Sequence, residues 1–454
     1  MNYLRHVISS KGWMHVPRRL CMIARRFGVT SARSRRALHR FLDITGAHDC
    51  RPTLFITADL LRCHRSTIQS VLARNVDVGL HGHHHIDHSL IPSDLQLREI
   101  AAGISRFQEV GVQVSGFRAP FLRFNRSTCE AVVANKLSWL SNTVMRYKEF
   151  GGADPIGHSK CWQTLREFYT HKPFTREPCL PYWDREAHCL EIPILVPDDE
   201  MLIDRLGIRD ESKIADIWME MLQFSHEHGE LCNLLIHPER VHIVAKPLNT
   251  ALKRARDLGD VWIASLAEIG HWWHERARAS VEVRESGNGA YRVTVNGPEA
   301  LAVSIQHPGG RSESVTLGKE HSFALRSEFR PAIAIPASCD DSMRACLTNE
   351  GFVVESNNDP SRCSITLSNH PADSNRLLLE SLHQARGPLV RLGRWPSGYR
   401  SALAVTADVD AITLWDFVRR ARHFDTLGWS KTPISMLCLS LLPYALDLMP
   451  YWEM

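Results

Sequence analysis

The run LAVTADVDAITLWDF, Leu403 to Phe417, decides how this 454-residue chain is put together. With its flanks, from Tyr399 to Phe424, it reads as a strand followed by a helix. Leu403, Val405, Ala407 and Val409 point one way, while Ala404, Thr406, Asp408 and Asp410 point the other, because side chains alternate along a strand. Two carboxylates therefore share one face at the strand's C-terminal end. In a parallel α/β barrel that end carries the chemistry. The segment differs in pattern from what precedes it, so its partners are sought elsewhere in the chain.

From about Ser34 to Ala279, short apolar runs alternate with amphipathic helices. RRALHRFLDI reads as a helix and TLFITA (Thr53–Ala58) as a buried strand. DLQLREIAAGISRFQEVG places Leu97, Ile100, Ala101, Ile104 and Phe107 on one helical face and stops at Gly111. VQVSGF follows as a strand. SKIADIWMEMLQFSHEHG leads into the strand CNLLIH (Cys232–His237). PLNTALKRARDLG, VWIAS and LAEIGHWWHERARA repeat the rhythm, which argues for parallel strands wrapped by helices. After Ala279 the character changes. SVEVRE, AYRVTVNG, LAVSIQH and SVTLG alternate at period two, predicting a small antiparallel β domain to about Ser327. A strand–helix–strand piece then reaches about Leu367.

Composition is that of a globular protein, with 44% hydrophobic and 23% charged residues. The length predicts two or three domains. No run of about 20 apolar residues predicts a membrane span, and the tail ISMLCLSLLPYALDLM (Ile434–Met449), interrupted by Pro443 and Asp447, is expected to dock on the protein. Twelve cysteines without a CxxC pair fit a reducing compartment, and a cytoplasmic location is expected. The net charge of +4 is uneven, since residues 1 to 42 hold ten Lys/Arg and no acid. VPRRLCMIARRF (Val16–Phe27) sets Leu20, Ile23 and Phe27 on one face and arginines around the other. A solvated helix packed on its domain is the favoured reading. Peripheral attachment to an anionic membrane surface, or a transit peptide, are the others. No apolar stretch follows the charges, so a secretory signal is not expected, nor is a nucleic-acid partner.

VDVGLHGHHHIDH (Val76–His88) packs five histidines into eight positions. The HxxxH spacing of His81 and His85 sets two imidazoles on one side of a helical turn. Two imidazoles with a carboxylate and an open water position make a hydrolytic metal site, although HxxxH alone is more often coincidence than a ligand pair. Three further features add weight. GFRAPFLR (Gly116–Arg123) gives an RxP step with Arg118 able to orient a carboxylate. NLLIHPER ends a buried strand in His237. LEIPILVPDDE (Leu190–Glu200) is another apolar strand that ends in acids.

The order of HxxxH, RxP and a strand ending in His resembles the polysaccharide deacetylase (NodB-homology, carbohydrate esterase family four) superfamily over about Ser34 to Ala279. The resemblance implies an α/β fold, an irregular (β/α)7-type barrel, here with an inserted β-rich domain. It implies a metal-dependent amide hydrolase acting on carbon–nitrogen bonds other than peptide bonds. His81 and His85 would be metal ligands, Arg118 would hold the base, the Phe121 N–H would serve the oxyanion and His237 would be the general acid. The first DxD motif of the family has no counterpart upstream of TLFITA. LAVTADVDA resembles it instead, with Asp408 as general base and Asp410 as third metal ligand, so the C-terminal segment is expected to close the barrel in a circularly permuted arrangement. A YDSS-like step of the family reads SWLSNTV (Ser138–Val144) here.

The resulting division is a basic segment over 1–42, the main part of the barrel over 43–279, and a β-rich domain with a small α/β piece over 280–395. A strand and helix completing the barrel follow over 396–424, then an apolar tail over 425–454. The expected function is removal of an N-acyl group, acetyl or formyl, from an amino sugar of a glycan or glycan precursor, with a divalent metal, zinc by preference, as cofactor. A carbohydrate or lipid-linked amino sugar is the expected partner. Two alternatives stay open on the sequence. One is a non-catalytic deacetylase-like binding or scaffold protein. The other is a different metallohydrolase, an amidohydrolase or phosphoesterase using His83 and His85 as an HxH pair.

Overall fold

The computed structural model describes residues 26–147, 178–184, 186–315, 321–336, 341–356, 360–368, 375–416 and 419. The expected helix over 16–27 lies almost wholly outside them, and the tail over 425–454 entirely so. The first described helix, α1 (Ala32–Gly46), runs across residue 42, where the charge boundary was drawn. It buries Leu38, Phe41 and Leu42.

Short parallel strands then alternate with helices. They are β1 (Thr53–Ile56), α2 (Asp59–Cys63), α3 (Arg65–Leu72), β2 (Asp77–Leu80), α4 (Ser93–Gln108), β3 (Gly116–Phe117), α5 (Arg126–Ala134), β4 (Trp139–Leu140) and β5 (Val144–Arg146). After these come β6 (Tyr182–Asp184), β7 (Cys189–Glu191), β8 (Ile194–Val196), α6 (Glu211–His228), β9 (Leu231–Ile236), α7 (Val241–Leu258), β10 (Val261–Ile263) and α8 (Leu266–Ala277). Local chemistry sets the helix ends. Asp210 accepts from the Ser212 N–H at 2.9 Å at the start of α6, and Gly229 closes it with φ 67°. Ser265 and Glu268 form a capping box at α8. Two expectations shift here. VQVSGF contributes only Gly116 and Phe117 to a strand, and α7 begins at Val241, six residues before Pro247.

Residues 280 to 396 add β11 (Ser280–Gly287), β12 (Ala290–Asn296), β13 (Leu301–Gln306), β14 (Ser312–Val315), β15 (Ser322–Arg326) and β16 (Arg330–Ala334). Helix α9 (Asp341–Asn349), β17 (Val354–Glu355), β18 (Cys363–Thr366), α10 (Asn375–Ser381) and β19 (Leu389–Pro396) complete the region. The antiparallel part does not end near Ser327, because β19 pairs with β13. Strands β17 and β18 pair with β16 in parallel.

Strand β20 (Ser401–Val409) then enters the large sheet, all nine of its residues buried. Its first residues pair with β10 (Val261↔Ser401) and its last with β1 (Thr53↔Thr406), both in parallel. Strand β9 runs along it from Ala402 to Ala407. Since that stretch overlaps both other pairings, β9 takes the opposite edge. From β1 the sheet continues through β2, β3, β4 and β7 to β6. β5 and β8 extend β4 and β7 after short breaks and pair with each other. The Asn233 side chain donates to the Pro193 carbonyl at 2.9 Å, tying the start of β8 to β9. The molecule is thus mixed α/β around a parallel-strand sheet, with β20 between β9 and β1.

Candidate metal centre

The sheet brings its C-terminal strand ends to one place. His81 follows β2, Arg118 follows β3, His237 follows β9, Asp408 lies near the end of β20 and Asp410 follows it. The register makes this a consequence of pairing: Gly79 lies beside Phe55, Phe55 beside Asp408, and Ile236 beside Ala407.

Asp410 Oδ1 lies 3.2 Å from His81 Nε2 and 3.3 Å from His85 Nε2. All three side chains are buried. His81 Nδ1 is 2.9 Å from the Arg118 carbonyl, which orients the ring with Nε2 toward the carboxylate. Burial opposes ionisation of Asp410, but the two imidazoles outweigh it and hold the carboxyl well below the usual range. Donor atoms about 3.3 Å apart span the edge of a tetrahedron whose ligand bonds are about 2.0–2.1 Å. The donor set therefore fits a divalent cation.

The histidine segment is not helical, contrary to the expectation of a helical turn. His81 to Asp87 form a bend in which Gly82 has φ 76°. A Cβ on Gly82 would stand 2.6 Å from the His84 carbonyl oxygen, so the bend requires glycine. His85 then folds back to His81, with ring centroids 5.1 Å apart. Of the remaining histidines, His84 pairs with Glu99 at 3.0 Å, and His88 is fully buried against the Phe117 ring. Burial pushes His83 down to about 4.

Arg118 is the second anchor. It donates to Asp408 Oδ1 at 2.8 Å, Thr406 Oγ1 at 3.0 Å, the Ser141 carbonyl at 3.0 Å and Ser141 Oγ at 2.8 Å, and lies 4.0 Å above the Phe55 ring. It is fully buried, and burial lowers its pKa against the opposing pull of Asp408. Asn142 accepts the Ala119 N–H at 2.7 Å, which fixes the start of the Pro120–Leu122 turn. In that turn Phe121 and Leu122 both take left-handed backbone, φ 61° and 54°. Such conformations are costly for bulky side chains and cluster at functional sites. The Phe121 ring meets His85 edge-on at 4.4 Å.

His237 is held by a carboxylate that the sequence reading left without a role. Asp199 accepts from the His237 backbone N–H at 2.7 Å and sits 2.7 Å from Nδ1. Burial opposes a charged imidazole, but Asp199 outweighs it and pushes His237 up to about 10. Asp198, Asp199 and His237 form a second buried group with metal-ligand spacing among the described residues. Arg240 already lies 4.0 Å from Asp199 Oδ1, so an ion-pair network accounts for it.

Residues 31–138 match the family model for polysaccharide deacetylase. Over that span the chain is similar to the polysaccharide deacetylase family. The matched span holds His81, His85, Arg118 and Phe121 but not His237, Asp408 or Asp410, which lie downstream of it. No curated protein matches the chain. Similar solved structures include one from Mycobacterium smegmatis assigned to the polysaccharide deacetylases, at 19% identity over 52% of this chain and 76% of that one, TM-score 0.41. A second, from Pseudomonas aeruginosa PAO1 and assigned likewise, has 17% identity over 52% and 72%, TM-score 0.41. A third is a carbohydrate esterase family 4 pseudoenzyme from Bacillus anthracis, with 18% identity over 25% and 40%, TM-score 0.24.

Proposed function

We propose that this chain is a metal-dependent hydrolase that removes an N-acyl group, acetyl or formyl, from an amino sugar of a glycan or glycan precursor. The observation that carries the proposal is the meeting of Asp410 with His81 and His85 at 3.2 and 3.3 Å while Asp408 pairs with Arg118 two residues away. Residues 43–279 and 396–424 would form one irregular (β/α)7-type barrel, with 280–395 as its insertion.

His81, His85 and Asp410 would hold the cation, zinc by the donor set of two imidazoles and one carboxylate. Such a cation supplies a more acidic water and a polarised acyl carbonyl. Asp408, aimed by Arg118, takes the proton as water attacks the amide carbon. The Phe121 N–H donates to the oxygen on which charge develops, an interaction typically contributing about 3 kcal/mol. His237, kept protonated by Asp199, gives its proton to the leaving amine, and the C–N bond breaks.

The test is metal content of the purified protein beside Asp410→Ala and His81→Ala, with acetate and formate release from N-acylated amino sugars. Metal should be lost from both variants, together with hydrolysis. Metal retained by Asp410→Ala but lost from His81→Ala would sink the proposed ligand set. Metal binding by the unaltered protein without acyl release across such substrates would favour a binding role.

A further inference from the structure

A cavity of about 500 Å³ lies where β5 and α6 face α10 and β19, and none of the groups assigned above to catalysis or metal binding lines it. Its charged lining includes Arg146, Arg376, Arg391 and Arg394 against Glu230 and Glu380. Glu230 is taken by Arg376 at 2.7 Å. Behind the wall, the buried carboxylate of Glu350 serves Arg394 at 2.8 Å and also Arg391, and it attracts Arg276. One carboxylate thus answers three guanidinium groups. Burial, then repulsion from Arg394, pushes Arg391 down to about 10, and burial pushes Arg276 down to about 9. Buried and half-buried cations in excess of their counter-charges are unfavourable unless an anion joins them.

Two further observations point into the same space. Gln306 lines the cavity, is 6% exposed, and has no hydrogen-bond partner for its Nε2 among the described residues. Phe224 and Phe352 supply apolar walls, with Arg376 5.1 Å from the first ring and Arg391 4.9 Å from the second. An apolar pocket with a few convergent polar groups, within the range of about 300–1,000 Å³, is typical of a small-molecule site.

We propose that this cavity binds a small phosphorylated molecule, with its phosphate on the guanidinium cluster and Gln306 and its body against Phe224 and Phe352. Guanidinium forks match phosphate oxygens in pairs, and an anion answers the positive charge that Glu350 leaves over between Arg391 and Arg394. The site bridges the large sheet and the 280–396 region, so its ligand would stiffen their junction.

The test uses the full chain with inorganic phosphate and pyrophosphate, followed by calorimetric titration and thermal unfolding, with acetate and chloride at matched ionic strength. The melting temperature should rise with pyrophosphate concentration and not with acetate. Arg376→Met and Gln306→Leu should each weaken binding about tenfold or more. Should Arg376→Met fail to fold, Gln306→Leu carries the test, since the Nε2 donor it removes has no partner among the described residues. No binding by the unaltered protein, an equal response to acetate, or undiminished affinity in Gln306→Leu would overturn the proposal.

Discussion

Asp408 and Asp410 stand two residues apart in opposite settings, one against a buried guanidinium and the other against two imidazoles. Their substitutions should therefore separate. Asp408→Asn should keep its metal and lose about 10²–10⁴-fold in kcat, as removal of a general base does, whereas Asp410→Ala loses the metal itself. Metal analysis beside acyl-release rates checks both. A second expectation concerns His237. Its pKa is raised from 6.5 to about 10 in the fold, so its protonated form adds stability that is full below about 6.5 and is lost as pH rises through about 10. In Asp199→Asn that support disappears. The alkaline limb of kcat/KM should move toward lower pH, and the stability difference between the two proteins should shrink as pH rises through the same window. A limb that stays in place would detach Asp199 from the proton that His237 carries. The strand-end residues were readable because each closes an apolar run with a group that is costly to bury. Asp199, Ser141 and Asn142 carry no such signal, although they fall within PDDE and SWLSNTV, because hydropathy does not say which polar side chain meets which across strands.

At the scale of elements, β1, β2 and β20 form a stack in which one missing side chain matters. A Cβ at Gly79 would lie 2.4 Å from the Phe55 ring, and Phe55 is the floor beneath Arg118. Gly79→Ala should cost about 1–3 kcal/mol by overpacking and should also lower kcat, because a displaced ring tilts the guanidinium that aims Asp408. Thermal unfolding and kinetics of the one variant test both halves. Helix α4 shows where periodicity misleads. The predicted face held Leu97, Ile100, Ala101, Ile104 and Phe107; Ile100 and Phe107 are buried, but the rest of the buried stripe is Gln96, Glu99 and Gly103, and Leu97 is exposed. Gln96 donates to the Ile91 carbonyl at 3.1 Å and accepts from Thr128, while Glu99 takes His84. Polar residues with partners waiting on other elements turned the helix away from its hydropathy pattern. The opposite holds for β20, where alternation and the DxD pair named both faces.

For the whole molecule, the decisive feature is that the strand between β9 and β1 comes after the 280–396 region. A chain ending at Pro396 should lack more than two acids. The three partners of β20, β1, β9 and β10, would each keep an open edge, and the shortened protein should bind a hydrophobic dye, melt without a sharp transition and hold no metal; circular dichroism and metal analysis of that variant decide it. The late position of β20 also bears on the time course of biosynthesis. Roughly 350 residues separate β1 from its partner in β20, about 20–70 s of translation at ordinary rates. Through that interval the nascent chain displays unpaired strand borders and a pair of histidines with no acid to meet them. Such a polypeptide is exposed to edge-to-edge pairing while it is being made, and it assembles its histidine–aspartate cluster in a single late event rather than by degrees.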